Sequence, residues 1–198
     1  MENIAIVIVA AGSSSRMNTA KQLLPLGDTT LLGNAVAQAK NSDAEDVFIV
    51  LGANSEKIRL QQELYEAVFV ENKDWKQGIG SSIAAGIKYV AENGNFEGIL
   101  LMLGDQPLID SSYLNRIIAE FRKDSSKIVA TKYPKSNGVP AIFPNKYFSQ
   151  LLLLKGDTGA KSLLNSKKSS VLALDAGIKI MDVDTPEEYR EFCKRYRE

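Results

Sequence analysis

The sequence contains no histidine and only one cysteine, Cys193, among its 198 residues. Without histidine, Ser-His-Asp and Cys-His catalysis and histidine-based zinc sites are excluded. A single cysteine cannot form an internal disulfide or a cysteine metal cluster. Any catalysis would therefore depend on carboxylates, lysine, arginine and a metal held by oxygen ligands.

Net charge and long apolar runs are lacking as well. Lysine plus arginine and aspartate plus glutamate each number 24, so the formal net charge is zero. This balance favours neither nucleic acid nor a membrane surface as a partner. The apolar runs are too short to cross a bilayer, and Glu2 without a basic segment is a poor start for a signal peptide. We expect a cytoplasmic protein with one domain over residues 1–198.

Strand and helix patterns alternate along the chain, which is typical of a βαβ series. The apolar run at residues 4–9 is continuous enough for a parallel strand that is buried on both faces. Further strands are predicted at residues 47–51, 67–70, 99–103, 128–130, 141–143, 171–174 and 178–183, and helices at 30–40, 54–66, 81–92, 111–123, 145–154 and from Thr185 onward. This order predicts an α/β fold, a Rossmann-like three-layer α/β/α domain with a mostly parallel twisted sheet.

Small residues follow the first predicted strand, where open α/β folds bind ligands. Arg16 and then Lys21 come after this loop, and Gly12 can adopt the positive φ that a concave loop often needs. The backbone N–H groups of such a loop can approach phosphate oxygens, and the two cations would neutralise them. A solvated turn is the alternative. We predict an anion-binding loop made of Ala10, Ala11, Gly12, Ser13, Ser14 and Ser15.

Acidic residues follow two of the predicted strands. Asp105, after Gly104, ends the most apolar strand, and a carboxylate that faces a polyphosphate needs a cation between them. Mg²⁺, or Mn²⁺ in its place, fits because it takes one or two protein carboxylates together with phosphate oxygens and water. Strand alternation would put Asp182 and Asp184 on the same side, so either could join Asp105. The alternatives are a turn aspartate at 105 and a role for Asp184 in capping the last helix.

Residues 72–82 run directly into a predicted helix. Gly78, Ser81 and Ser82 would allow the close approach of a nucleoside and offer hydrogen bonds to its base or ribose. Trp75 is interpreted as a core anchor rather than a base-stacking platform. This segment is a second candidate for nucleotide binding.

Residues 156–161 look superficially like a phosphate loop but lack the Walker sequence. They either shape an acceptor site or join two helices.

Taken in order, these segments resemble the MobA-like nucleotidyltransferase family, and within it the molybdenum cofactor cytidylyltransferases. Each segment alone is a weak signal, and their order makes the resemblance specific: residues 9–17, 21–25, 78–86, 104–107, 156–161 and 182–186. The resemblance implies a fold like that of nucleotide-diphospho-sugar transferases. It also implies transfer of CMP from CTP to the phosphate of molybdopterin, with release of pyrophosphate. A molybdoenzyme of the xanthine dehydrogenase type would be a further partner.

The resemblance also implies roles for single residues. Arg16 and Lys21 would hold the triphosphate, and Asp105 would hold Mg²⁺ with Asp184 as the second ligand. In this family the sequence at residues 10–12, Ala-Ala-Gly, accompanies cytidine, whereas Ala-Gly-Gly accompanies guanosine. The acceptor side would include Gln106, Pro107, Gly138, Pro140, Gly156 and Asp157.

One departure and three alternatives remain. Relatives often carry Gly-His-Pro where this chain has Val139 between Gly138 and Pro140, and the missing histidine removes one phosphate or pterin contact. A nucleotidyltransferase that uses GTP or a sugar or alcohol phosphate is one alternative. A non-catalytic accessory protein for molybdoenzymes is another. A dinucleotide-binding dehydrogenase is disfavoured because its glycine fingerprint is absent and the second strand ends without an acid at residues 51–53.

Overall fold

Strand β1, Ile4–Val9, lies in the middle of the sheet and is buried along almost its whole length. It pairs in parallel with β4 (Asp46–Leu51) on one side and with β6 (Gly98–Leu103) on the other. Its uninterrupted apolar sequence follows from this position, since helices cover both faces of a parallel sheet. The structure is a computed structural model that describes residues 2–17, 19–60 and 67–196.

The remaining elements follow in the alternating order that the sequence predicts. The other described strands are β2 (Pro25–Leu26), β3 (Thr29–Thr30), β5 (Val68–Glu71), β7 (Ile128–Lys132), β8 (Asn137–Pro144) and β9 (Val171–Asp175). The described α-helices are α1 (Leu31–Lys40), α2 (Ser55–Arg59), α3 (Ile79–Asn93), α4 (Ser111–Lys123), α5 (Phe148–Leu152), α6 (Lys161–Ser166) and α7 (Pro186–Tyr196). None of these helices combines the length and apolar character that a membrane span requires.

Within the described ranges, seven strands form one sheet in the order β5-β4-β1-β6-β8-β7-β9. Neighbouring strands are parallel except for β8, which runs antiparallel to both β6 and β7. Alternate side chains of β1 enter two apolar clusters, one shared with α1 and α4 and the other with α3, α5 and α6. The predicted α/β fold, with three layers and a mostly parallel sheet, is therefore confirmed.

Local sequence signals mark the starts of α4 and α7. The side chain of Asp110 accepts a hydrogen bond from the N–H of Tyr113 at 2.9 Å and caps α4. At the start of α7, the N–H of Thr185 donates to Glu188 Oε2 at 2.9 Å, and the N–H of Glu188 donates back to Thr185 Oγ1 at 3.2 Å. This reciprocal pair is a capping box, which the sequence of residues 185–188 favours.

One predicted strand, at residues 178–183, is wrong. A 3₁₀ turn at Gly177–Ile180 and an irregular segment take its place. In this stretch, buried Val183 packs with Leu31 and Phe192 in a separate cluster beneath α7. The directions of the neighbouring aspartates are therefore not set by strand alternation.

The second half of the chain also differs in element length. Strand β8 is longer than the predicted residues 141–143 because the N–H of Tyr133 donates to the carbonyl of Ser136 and closes a hairpin. The predicted helix at 145–154 begins as a 3₁₀ turn and becomes α5. For the helix predicted at 54–66, the structure gives α2, and the predicted continuation over 61–66 lies outside the described residues.

Candidate active site

The loop after β1 is shaped by the buried side chain of Gln22. Its amide nitrogen donates to the carbonyl oxygens of Ala10 and Gly12 at 2.9 and 3.0 Å. Ser14 Oγ donates to Gln22 Oε1 at 3.2 Å and accepts from the N–H of Lys21 at 3.1 Å. The positive φ expected at Gly12 occurs instead at Ser14, at 56°. The loop conformation thus depends on side-chain bonds to Gln22, a residue that sequence reasoning did not single out.

This loop forms one wall of a cavity of about 400 Å³ at the carboxyl ends of β1 and β6, here called the nucleotide cavity. The predicted nucleotide-binding residues that line it are Ala10, Ala11, Gly12, Ser13, Lys21, Gly78, Ser82, Gly104 and Asp105. The predicted residues that lie outside its lining are Ser14, Ser15, Arg16 and Ser81.

Lys21 joins two carboxylates at this cavity. Its ammonium donates a short hydrogen bond to Asp105 Oδ2 and another, at 2.7 Å, to Asp184 Oδ1. Arg16, whose side chain is 68% exposed, donates to the second oxygen of Asp184 at 3.1 Å. The fold therefore brings together four charged residues that were predicted from the sequence as site residues: Arg16, Lys21, Asp105 and Asp184.

The ion pairs and hydrogen bonds within this cluster determine the protonation states of its side chains. Burial alone would lower the pKa of Lys21, but the charges and hydrogen bonds of Asp105 and Asp184 outweigh it and raise that pKa above its ordinary value. Burial alone would raise the pKa of Asp184, but Lys21 and Arg16 outweigh it and leave that pKa lowered. Lys21 is therefore positive and Asp184 negative at neutral pH.

The carboxylates fit a divalent cation. Asp105 Oδ1 is buried and has no hydrogen-bond partner among the described residues. A buried carboxylate oxygen without a partner destabilises the folded protein unless a cation or a water molecule binds to it. The described part of the chain holds no cluster of three or more His, Cys, Asp or Glu side chains suited to a metal. Asp105 and Asp184 match the one or two carboxylates that Mg²⁺ takes from proteins when phosphate oxygens and water supply the rest.

Asp182 turns away from this cluster to Gln106. Its Oδ1 accepts from Gln106 Nε2 at 2.8 Å, and the same nitrogen donates to the hydroxyl of Tyr133 at 2.8 Å. That hydroxyl donates to the carbonyl of Val139 at 2.6 Å. Asp182 is exposed as a residue, yet desolvation of its carboxyl group raises the pKa to about 6. Burial likewise raises the pKa of Tyr133 to about 12.

This chain of polar groups belongs to a second cavity of about 230 Å³, here called the adjoining cavity. It shares Val9, Ile79 and Leu103 with the nucleotide cavity, so the two lie side by side. Of the predicted acceptor residues, Gln106 and Gly138 line it. The other predicted acceptor residues, Pro107, Pro140, Gly156 and Asp157, lie outside its lining.

Asp157 instead lines the nucleotide cavity, because residues 155–157 pack on the start of α3. The N–H of Gly80 donates to the carbonyl of Gly156 at 2.9 Å. Gly78 has a φ of 94°, and a Cβ there would lie 2.4 Å from the carbonyl carbon of Gly156. Only glycine fits at 78, which gives the predicted small-residue segment a structural role as well.

Trp75 serves as the predicted core anchor and also lines the nucleotide cavity. A Cβ on Gly52 would lie 2.6 Å from Trp75 Cβ and 2.9 Å from Ala11 Cβ, so Gly52 is required for this close packing. Sequence reasoning missed the cavity contacts of Trp75 and Ile79. The only signal for them was their position within a segment that leads into α3.

A mostly parallel sheet with a small-residue loop, a lysine and carboxylates at its strand ends defines an α/β nucleotide-binding architecture. The family model for the MobA-like NTP transferase domain matches residues 6–171. The chain belongs to this family, as the resemblance predicted.

Several relatives match this chain over nearly its whole length. The purine catabolism protein PucB of Bacillus subtilis (strain 168) is 30% identical over 199 residues, covering 92% of each chain. Nicotine blue oxidoreductase of Paenarthrobacter nicotinovorans is also 30% identical, with the same 92% coverage of both. The crystal structure of Rv0371c from Mycobacterium tuberculosis H37Rv has a TM-score of 0.83 and 32% identity, covering 98% of each chain. A structure of that protein in complex with manganese has a TM-score of 0.77 and 31% identity, covering 98% of this chain and 99% of the other.

Proposed function

We propose that this family member is a CTP:molybdopterin cytidylyltransferase, which transfers CMP from CTP to the phosphate of molybdopterin and releases pyrophosphate. The observation that carries the proposal is the cluster of Lys21, Asp105 and Asp184 beside two adjoining cavities. CTP would bind in the nucleotide cavity and the acceptor in the adjoining cavity. The reacting groups would meet where the two cavities share their lining.

The cluster suits phosphoryl-group chemistry, which needs positioning and charge neutralisation more than covalent help. The backbone of the loop after β1 would bind the triphosphate, and Lys21 and Arg16 would stabilise charge on the departing pyrophosphate. An oxygen of the acceptor phosphate forms a new bond to the α-phosphorus of CTP, while the bond to the bridging oxygen of pyrophosphate breaks. Mg²⁺ or Mn²⁺, held by Asp105 and Asp184, would neutralise charge on the phosphates.

The adjoining cavity supports an acceptor with a flat ring and a polar edge. Apolar side chains such as Ile83, Leu101 and Val139 line it, while Gln106 and Asp182 contribute polar groups. The amide oxygen of Gln106 is buried and has no partner among the described residues. A pterin combines an apolar ring face with amide-like edge groups, which suits this lining. The product would then pass to a molybdoenzyme of the xanthine dehydrogenase type.

Pyrophosphate release with CTP or GTP, measured with and without molybdopterin, tests this proposal. We expect release that depends on molybdopterin and is faster with CTP. Release with a sugar or alcohol phosphate but not with molybdopterin would overturn the acceptor, and faster release with GTP would overturn the base.

An oxidoreductase is a second candidate, because one relative with 30% identity bears the name nicotine blue oxidoreductase. Against it, β4 leads into Gly52 and Ala53, with no carboxylate at the strand end to bind the ribose of a dinucleotide. Oxidation of NADH or NADPH with a dye acceptor, measured by absorbance, separates the two. Turnover in that assay together with no pyrophosphate release would favour the oxidoreductase.

A further inference from the structure

Asn72 lies buried, with 5% of its surface exposed, where β5 leads toward α3. Its backbone N–H donates to the carbonyl of Leu51 at 2.8 Å. Its side-chain oxygen accepts from the N–H of Asp74 at 3.0 Å. Because a backbone N–H can only donate, this bond settles which end of the Asn72 amide is oxygen. The amide nitrogen therefore points toward α3.

That nitrogen donates to two serine hydroxyls in the first turn of α3, Ser81 Oγ and Ser82 Oγ, both at 2.9 Å. Ser81 uses its own hydrogen within the protein, toward the carbonyls of Asp74 and Gly78 at 2.9 and 2.8 Å. Ser82 is 3% exposed and lines the nucleotide cavity, and its hydrogen has no acceptor among the described residues. Since its oxygen already accepts from Asn72, the hydrogen of this hydroxyl points away from Asn72 and is free to donate to a ligand.

We propose that Asn72 is a positioning residue that fixes Ser82 as a hydrogen-bond donor toward the nucleotide cavity. The inference rests on the proposed function, and it adds a rule for choosing the nucleotide. A base that presents a carbonyl oxygen or an unprotonated ring nitrogen to Ser82 is accepted. A base that presents neither acceptor lacks this bond and binds more weakly.

The test compares the binding of CTP with that of tripolyphosphate, which has the charge but no base, by titration calorimetry with Mg²⁺ present. Asn72→Asp keeps an acceptor for the Asp74 N–H but also takes the hydrogen of Ser82, which reverses the hydroxyl. We expect CTP to lose at least about tenfold in affinity relative to tripolyphosphate. The Ser82→Ala variant should lose about threefold to tenfold in affinity for CTP relative to tripolyphosphate. The ratio cancels any repulsion of phosphates by the new carboxylate.

The double variant distinguishes positioning from general damage. When Ser82→Ala is present, adding Asn72→Asp should not change the affinity ratio further, because no hydroxyl remains to orient. Gln77→Ala is the matched control: its exposed side chain donates to Asp74 Oδ1 in the same segment, and the ratio should stay as in the wild type. Thermal unfolding verifies that each variant is folded.

An unchanged ratio in Ser82→Ala overturns the inference, even if Asn72→Asp does not fold. So does an equal effect of Asn72→Asp with and without the Ser82 hydroxyl. In both cases the proposed function stands as long as the wild type binds CTP. A wild type that binds none of the four common nucleoside triphosphates would overturn the proposed function itself.

Discussion

The Lys21→Met substitution tests whether Asp105 and Asp184 form a binding site for a cation. In the structure, the ammonium group of Lys21 lies between these two carboxylates. The side chains of Lys21 and Asp105 are only 16% and 17% exposed, so the pair is mostly shielded from solvent. Without the ammonium, two carboxylates that both contact it would face each other about 5 Å apart, which costs about 3 kcal/mol at an effective dielectric of about 20. Because Asp184 is 35% exposed, solvent screens part of this repulsion. We expect a loss of about 2 kcal/mol in the free energy of unfolding.

Urea unfolding in low salt, with and without Mg²⁺, measures this loss. In Lys21→Met, Mg²⁺ should restore most of the stability, because the ion binds between the carboxylates without competing with the lysine. The wild type should gain much less. Lys179→Met is the control, since Lys179 pairs with the more exposed Asp110 at a separate site; it should lose less than about 1 kcal/mol and not respond to Mg²⁺. Equal stabilisation of wild type and Lys21→Met by Mg²⁺ would show that Lys21 does not occupy a cation site between Asp105 and Asp184.

Three further predictions concern catalysis, base choice and pH. Asp105→Ala should have the thermal unfolding temperature of the wild type but lose at least about a hundredfold in turnover, since metal electrostatics usually contribute that much; unchanged turnover would contradict a metal-binding role for Asp105. Ala11→Gly should widen acceptance toward GTP in competition assays, and an unaltered CTP preference would place base choice elsewhere. Burial raises the pKa of Asp182 to about 6, so folding binds a proton between about pH 4 and 6 and stability from this group falls as the pH rises through that window. Asp182→Asn should therefore stabilise the protein by up to about 1 kcal/mol at pH 8 and not at pH 4, and a difference that is independent of pH in urea unfolding would contradict this.

Local patterns predicted most of the fold. The apolar run of β1 and the capping box of α7 depend on residues that are neighbours in sequence, so the sequence alone carries that information. Residues 178–183 match a strand in their apolar pattern, yet they form a 3₁₀ turn and an irregular segment in which Ile178 is 71% exposed and Val183 packs under α7. The spacing of apolar residues in a sequence indicates which side chains tend to be buried. It does not indicate which neighbouring element covers them.

The charged residues of the candidate site could be predicted from the sequence, but the contacts between its residues could not. Lys21 and Asp184 are 163 positions apart, and only the folded sheet brings them into contact. The bond from Gln106 to Asp182 is equally remote, spanning 76 positions. Neutral amides such as Gln22 and Asn72 carry no charge signal in a sequence, yet they orient the loop and the serine that line the nucleotide cavity. Their roles emerge only from hydrogen-bond geometry.

In the proposed reaction, an acceptor phosphate attacks the α-phosphate of CTP in this site. Phosphorus NMR of a reaction with CTP, Mg²⁺ and molybdopterin tests it most directly, because it identifies the bond that breaks. We expect pyrophosphate and a CMP-linked dinucleotide in equal amounts, and at least about a hundredfold slower formation of both with Asp105→Ala. Unchanged CTP, or inorganic phosphate released together with CDP, would contradict it.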